Sequence, residues 1–178
     1  MLRVSRLEKS IGIEVYATSS PGIGGVIRQS CEDFVVEELL VNGSKAEISA
    51  HYIPLPTYEQ SLTSRYLLCV LVKRNWDTFQ ALEAIAQQLR LSPQKIHIAG
   101  IKDAKAVTAQ HITIRDAKPE DVKNVSIKDI KIVPLGYFKT KLSPYYLLGN
   151  SFTIVVRALS HTKATTQHRI EEVVKEIE

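Results

Sequence analysis

One short segment concentrates the side chains that could do chemistry. It is AGIKDAKAVTAQ, residues 99–110, between two apolar runs rich in β-branched residues. In it, Asp103 lies between Lys102 and Lys105 and follows Gly100. A carboxylate held among cations stays ionised at neutral pH, and it can then act as a nucleophile or as a base. An aspartate that caps its own turn is the structural alternative, and the residues alone leave it open.

Other catalytic patterns are absent from the sequence. The histidines lack metal-ligand spacing, no Gly-rich phosphate loop follows a predicted strand, and no serine lies in a nucleophile-elbow pattern. His97 and His111 flank the polar segment, and we expect both to be partly exposed strand residues. Cys31 and Cys69 also lack metal-ligand spacing and are too few for a disulfide framework. We interpret both as reduced structural thiols and expect no zinc.

The distribution of charge favours a polyanionic partner. The chain has a formal net charge of +4, while residues 95–145 hold ten Lys or Arg against five acids, which is +5 for that window alone. Lysines and arginines that neutralise phosphates release counterions, so a basic surface beside the polar segment suits a polyanion. On charge alone, a solvated lysine-rich surface is the alternative.

Length and composition predict a globular protein. The chain has 178 residues, of which 44% are hydrophobic and 24% are charged, so it can bury a core and one domain is the default expectation. The longest apolar run, residues 66–72, is too short to cross a bilayer, and the N-terminus has no apolar run of signal-peptide type. We therefore expect a cytoplasmic protein.

Periodicity predicts a mixed order of strands and helices around the polar segment. Asp77 is a good N-cap for a helix that Ser92 and Pro93 end, and a second helix is predicted at 165–178. The segment itself joins two strands, so its tip should project from the sheet, where a carboxylate can reach a ligand. Strands are predicted at 24–30, 34–41, 66–74, 95–100, 110–116, 127–137 and 151–159, a short helix or turn at 119–126, and a long loop at 42–65.

Three blocks of the sequence resemble the TruD family of tRNA pseudouridine synthases. AGIKDAKAVTAQ is similar to the family signature whose aspartate is catalytic. RQSCEDFVVEE, which begins at Arg28, resembles the N-terminal block, and LLGNSFTIVVR resembles the G-N-x-F motif. The blocks agree in order and approximate spacing and together span about residues 24–157. The matched residues outside the signature are Arg28, Asp33, Phe34, Val36, Glu38, Gly149, Asn150 and Phe152.

The resemblance implies a fold and a reaction. The fold class is α+β, with a mixed, mainly antiparallel sheet and flanking helices in a pseudouridine-synthase-like catalytic domain. The reaction is the isomerisation of a tRNA uridine, that of position 13, to pseudouridine, with no cofactor and no metal. Asp103 would act at the ribose, as a nucleophile on C1′ or as a base at C2′. Arg28 would pair with Asp103, or it could simply be an exposed strand residue.

The resemblance also implies substrate-binding roles. The target base must leave its stack, and Phe152 would offer an aromatic face while Asn150 shapes the pocket. Lys102 and Lys105 would meet backbone phosphates of the RNA. Each has a structural alternative, because Phe152 could be core and Asn150 could be a turn residue. Thr108 and Gln110 could serve to fix the loop.

The sequence also departs from the family pattern. Ala104 stands where the family usually has a basic residue, and family members continue through further segments that these 178 residues lack. We therefore expect residues 1–178 to be a truncated, N-terminal part of a TruD-type catalytic domain. Such a part should associate with itself or with the missing C-terminal part. The alternative function is a catalytically incomplete fragment that acts only as an RNA-binding or assembly module.

Overall fold

The computed structural model describes residues 4–51 and 66–177. The chain forms two compact units. The sheet unit comprises Arg28–Val155, and the helical unit combines Met1–Ile27 with Val156–Glu178. All of the candidate site residues belong to the sheet unit, which is therefore the part that matters for the site.

The sheet unit is built on a mixed, mainly antiparallel sheet, as expected. In the described residues the strand order is β5-β2-β4-β1-β6, and β3 pairs with β4 beside this path. Among the strand pairs of the described residues, only β1–β4 is parallel. The strands are β1 Phe34–Leu40, β2 Tyr66–Arg74, β3 Ile96–Ile98, β4 Val107–Arg115, β5 Ile130–Phe138 and β6 Leu147–Ile154.

The described residues also form four α-helices. Two belong to the helical unit, α1 Arg6–Ser10 and α4 Lys163–Ile177, and two to the sheet unit, α2 Thr78–Gln88 and α3 Pro119–Lys123. The predicted N-cap of α2 is confirmed, because the Asp77 carboxylate accepts hydrogen bonds from the backbone N–H groups of Phe79 and Gln80 in the first turn. Across the described ranges, no helix is both long and apolar enough to cross a membrane.

The core of the sheet unit lies between α2 and one face of the sheet. Leu82 and Ile85 of α2 pack there with Leu71 of β2 and Ile112 of β4, all of them buried. A smaller cluster covers the opposite face, where Ala46 packs against the sheet. Strand β4 is covered on both faces and has neighbouring strands on both edges, so it is rigid. The connection that joins β3 to β4 is therefore anchored at its C-terminal end.

Two predicted strands differ from the structure. Residues 24–30 are not a strand, and only Val26 makes a bridge, to Arg157. Gly25 has φ 92° and Arg28 has φ 58°, and this left-handed backbone cannot continue a strand. Strand β6 begins at Leu147, earlier than predicted, because its partner β1 pairs as far as that residue.

The predicted long loop is described only in part. Residues 42–51 contain turns and an isolated bridge at Lys45. The rest of the prediction, residues 52–65, lies outside the described residues. The strands predicted at 95–100 and 127–137 and the short helix predicted at 119–126 are confirmed in type.

Candidate active site

Strand register brings the three sequence blocks together. Val36 of β1 pairs with Thr108 of β4 on one side and with Phe152 of β6 on the other. Residues paired in register project from the same face of a sheet, so these side chains form a row. The connection 99–106 leads into β4 next to this row and carries Asp103. Residues that are far apart in sequence are therefore adjacent in the fold.

Asp103 and Arg28 form an ion pair. Arg28 Nη2 donates to Asp103 Oδ1 at 2.6 Å, and each side chain is 36% exposed. The guanidinium carbon of Arg28 lies 3.8 Å from the centroid of the Phe34 ring, a cation–π contact. The left-handed backbone at Arg28 is a strained conformation of the kind found at functional sites. Arg28 is thus held by a carboxylate and an aromatic face at once.

Phe152 presents an aromatic surface beside this pair. Its ring contacts Phe34 edge to face, with the centroids 5.9 Å apart and the planes at 64°. Yet 52% of Phe152 is exposed, so it is not a core residue. Asn150 is exposed on the same strand and pairs in register with Glu38. Lys105 is exposed in the loop, where a polyanion can reach it.

A second ion pair next to Asp103 is buried. Lys102 Nζ lies 2.7 Å from Glu38 Oε2, and the two side chains are 3% and 0% exposed. The other carboxylate oxygen of Glu38 accepts the backbone N–H of His111 at 2.9 Å and lies 3.2 Å from its Nδ1. Ser44 Oγ is 2.9 Å from His111 Nε2. A continuous polar network thus joins the loop to β1, to β4 and to the segment after β1.

This network alters two expectations. His111 is fully buried, so the prediction that it is partly exposed is wrong, and the reason is that β4 is an interior strand. The ammonium of Lys102 is committed to Glu38, which leaves it poorly placed for the phosphate contact that the resemblance implies.

Burial by itself would raise the pKa of Glu38, but hydrogen bonds from His111 and Lys102 outweigh it and hold that pKa below its usual value. Glu38 is therefore an ionised partner for Lys102.

Buried side chains also hold the backbone of the loop. Thr78 Oγ1, at the start of α2, accepts the N–H of Lys102 at 3.1 Å and donates to its carbonyl at 3.0 Å. Gln110 Nε2 donates to the carbonyl of Gly100 at 3.2 Å, which agrees with a role of Gln110 in fixing the loop. At Gly100 a Cβ would lie 3.2 Å from Leu147 Cδ2, so a larger residue would crowd this packing.

Sequence reasoning missed Lys73, another buried residue at the loop. Its Nζ donates to the carbonyl of Asp103 at 2.7 Å. A signal was present, because Leu67, Cys69 and Leu71 alternate on the buried face of β2 and Lys73 continues that spacing. A lysine at a core position of a strand is rarely buried without a partner.

The cysteines take no part in this arrangement. Both are free thiols, and burial raises the pKa of the Cys69 thiol. Within residues 4–51 and 66–177, no cluster of three or more His, Cys, Asp or Glu side chains is arranged to hold a metal ion. What the site offers is a half-exposed carboxylate paired with a guanidinium, an exposed aromatic ring beside them, and a buried polar base.

Comparison with known proteins identifies close relatives. The family model for tRNA pseudouridine synthase D (TruD) matches residues 10–178. A Methanosarcina barkeri protein named as a probable tRNA pseudouridine synthase D is 31% identical over 176 residues, which are 99% of this chain and 36% of that protein. A Thermococcus onnurineus protein with the same name is 37% identical over 163 residues, which are 91% of this chain and 34% of that protein.

A solved structure agrees with these matches. The crystal structure of a Methanosarcina mazei protein described as a tRNA pseudouridine synthase D superposes with a TM-score of 0.81 at 31% identity. The superposition covers 99% of this chain and 37% of that one. The α+β fold class is therefore confirmed, and the chain spans about a third of the length of the curated relatives that it matches.

Proposed function

This chain belongs to the tRNA pseudouridine synthase D family, and from that premise we propose that it isomerises a uridine of tRNA, that of position 13, to pseudouridine. The observation that carries the proposal is the half-exposed ion pair of Asp103 with Arg28 beside the exposed ring of Phe152. A tRNA substrate is also consistent with the expected cytoplasmic location. Asp103 is the essential carboxylate.

The reaction is a balanced isomerisation. The bond between C1′ and N1 of the uridine breaks, the freed base rotates, and a bond between C1′ and C5 forms. C5 loses a proton and N1 gains one, so no oxidant, reductant or cofactor is required. Asp103 acts either as a nucleophile on C1′ or as a base that removes the C2′ proton. Both routes need the Asp103 carboxylate held in a fixed direction, which the contact with Arg28 provides.

Recognition of the base falls to the exposed residues around the pair. Flipping a nucleotide out of its stack costs a few kcal/mol, and stacking on an aromatic ring recovers part of that. Phe152 is the ring with an open face, and Asn150 lies two residues away on the same face of β6. Lys105 and the other exposed lysines of residues 95–145 contact backbone phosphates.

Pseudouridine formation on tRNA transcripts tests the proposal directly. Carbodiimide-dependent reverse-transcription stops are compared for the wild type and for Asp103→Asn, which preserves shape but removes the charge. Asp116→Asn is the matched control, because Asp116 is also an ion-paired, half-exposed aspartate, with Lys95 at 3.3 Å. We expect a stop at position 13 that only Asp103→Asn abolishes. A transcript with cytidine at that position should show no stop.

A second candidate function rests on strand β6. Phe152 and Ile154 are 52% and 45% exposed on one face of this strand, Leu148 at its bulge is 66% exposed, and in the described residues β1 is the only neighbour of β6. Such a surface suits a catalytically incomplete module that binds RNA and assembles with itself or with the remainder of a longer TruD protein. Salt-sensitive tRNA binding without any stop, together with sedimentation above the monomer mass, would favour it over the enzyme.

A further inference from the structure

A buried ammonium group converges with three carbonyls beside the candidate active site. Lys73, near the end of β2, is fully buried. Its Nζ lies 2.7 Å from the carbonyl oxygen of Asp103, 2.8 Å from that of Trp76 and 3.5 Å from that of Lys102. An ammonium has three donors and no acceptor, so this geometry fits its charged form. A neutral amine would instead direct its lone pair at one of these oxygens.

Two cations therefore hold opposite ends of Asp103. Arg28 binds the carboxylate at 2.6 Å, while Lys73 binds the carbonyl of the same residue at 2.7 Å. Thr78 fixes the residue before it through both its N–H and its carbonyl. Lys73 and Thr78 thus hold the backbone on both sides of the Lys102–Asp103 peptide. A fixed backbone in turn fixes the direction in which the Asp103 side chain projects.

We propose that Lys73 is a positioning residue for Asp103, whose buried ammonium fixes the loop backbone so that the carboxylate meets Arg28 and the substrate in one orientation. The catalytic part of this role rests on the proposed function. The hold on the loop does not, because it is a property of the chain without RNA. Small displacements of a reacting group reduce turnover strongly, which gives such a residue a measurable effect.

The charges that face Lys73 make its protonation testable. Burial lowers the pKa of Lys73 to about 8; Asp77 and Asp103 act in the opposite direction, and Lys102 adds to the lowering. Lys73 is thus charged at pH 7 and loses its proton within the range that an assay can cover. Loss of the proton should release one of the three carbonyls, and the loop with it.

The first experiment needs no activity. Hydrogen–deuterium exchange of the segment 100–106 is measured at pH 7 in the wild type, in Lys73→Met and in Lys131→Met. Lys131 is the matched control, since its Nζ also donates to a backbone carbonyl, that of Ala50 at 2.6 Å, but at an exposed place on β5. We expect about tenfold faster exchange in Lys73→Met alone. Equal exchange in all three proteins overturns the proposal. If Lys73→Met does not fold, Lys73→Gln, which keeps two donors without the charge, is judged by the same criterion.

The second experiment separates positioning from binding. In Lys73→Met, turnover on tRNA should fall about a hundredfold while the Kd for tRNA stays within about twofold. Wild-type turnover should fall about tenfold per pH unit above pH 8, and the variant should lack this decline. Wild-type turnover in Lys73→Met overturns the role. If the wild type itself forms no pseudouridine, the proposed function fails, and the exchange rates alone decide whether Lys73 holds the loop.

Discussion

Lys102 and Asp103 are neighbours in the sequence, yet their ion pairs lie in opposite environments. The pair of Lys102 with Glu38 is shielded from water, with side chains 3% and 0% exposed. The pair of Asp103 with Arg28 is 36% exposed on both sides. Lys102 thus anchors the loop in the protein interior, whereas Asp103 presents its carboxylate to solvent.

The difference shows what each kind of pair can do. Charges removed from water must stay together, because separating them leaves an uncompensated buried charge. An exposed pair contributes little to stability, since water and salt screen it, but a ligand can reach it. The anchored pair therefore supports the structure, and the accessible pair is available for chemistry.

The largest expected effect is on stability. Glu38→Ala leaves the Lys102 ammonium buried without its partner, so the free energy of unfolding should fall by about 3–5 kcal/mol. Asp103→Ala should change it by less than about 1 kcal/mol, because that pair is half exposed. Urea denaturation monitored by circular dichroism measures both. Similar losses in the two variants would remove the distinction between the pairs.

The next effect concerns the accessible side. Phe152→Leu keeps an apolar side chain but removes the ring, so binding of the flipped uridine should weaken by about 1–3 kcal/mol. The measurement is kcat/KM on tRNA. Ile154→Ala is the control, because Ile154 lies on the same face of β6 but has no aromatic ring. An equal loss in both variants would mean that the strand contributes only apolar surface.

The pH dependence of the unfolding free energy should distinguish buried from exposed carboxylates. The pKa of Glu38 in the folded protein lies below its usual value, so Glu38 contributes stability above about pH 4.5 that is lost as the pH falls through the folded pKa. The difference in unfolding free energy between the wild type and Glu38→Gln should therefore shrink from pH 6 towards pH 3. Glu32→Gln provides the comparison: the hydrogen bond from Arg74 also lowers the pKa of Glu32, but this pair is exposed and screened by water, so the corresponding change in stability should be small. A constant difference for Glu38→Gln would contradict the prediction.

The smallest effect separates two lysines of the same loop. Lys105 is exposed, so Lys105→Ala should reduce the slope of log K for tRNA binding against log salt by about one, with little change in stability. Lys102→Met should leave that slope unchanged and lower the stability instead, because Glu38 loses its partner. Filter binding of tRNA at several salt concentrations measures the slope for each variant. A reduced slope in Lys102→Met would restore the phosphate contact implied by the resemblance.

Much of the fold could be predicted from local pattern. An apolar run with β-branched residues predicts the strand at 66–74. An N-cap at Asp77, followed by apolar residues at helical spacing, predicts helix α2. The prediction failed at residues 24–30, where β-branched residues stand beside glycines. There the left-handed backbone at Gly25 and Arg28 prevails over the propensity of the side chains.

The sequence by itself determined the family, most of the strands and helices of the sheet unit, and the identity of the accessible residues Asp103, Asn150 and Phe152, because these depend on motifs and on periodicity along the chain. Only the tertiary structure decided that Lys102 faces inward while Asp103 faces outward, and that Lys73 reaches the loop. The physical reason is that burial and ion pairing depend on which strands become neighbours. Glu38 and Lys73 meet the loop from β1 and β2, and no short-range pattern in the sequence specifies those distances.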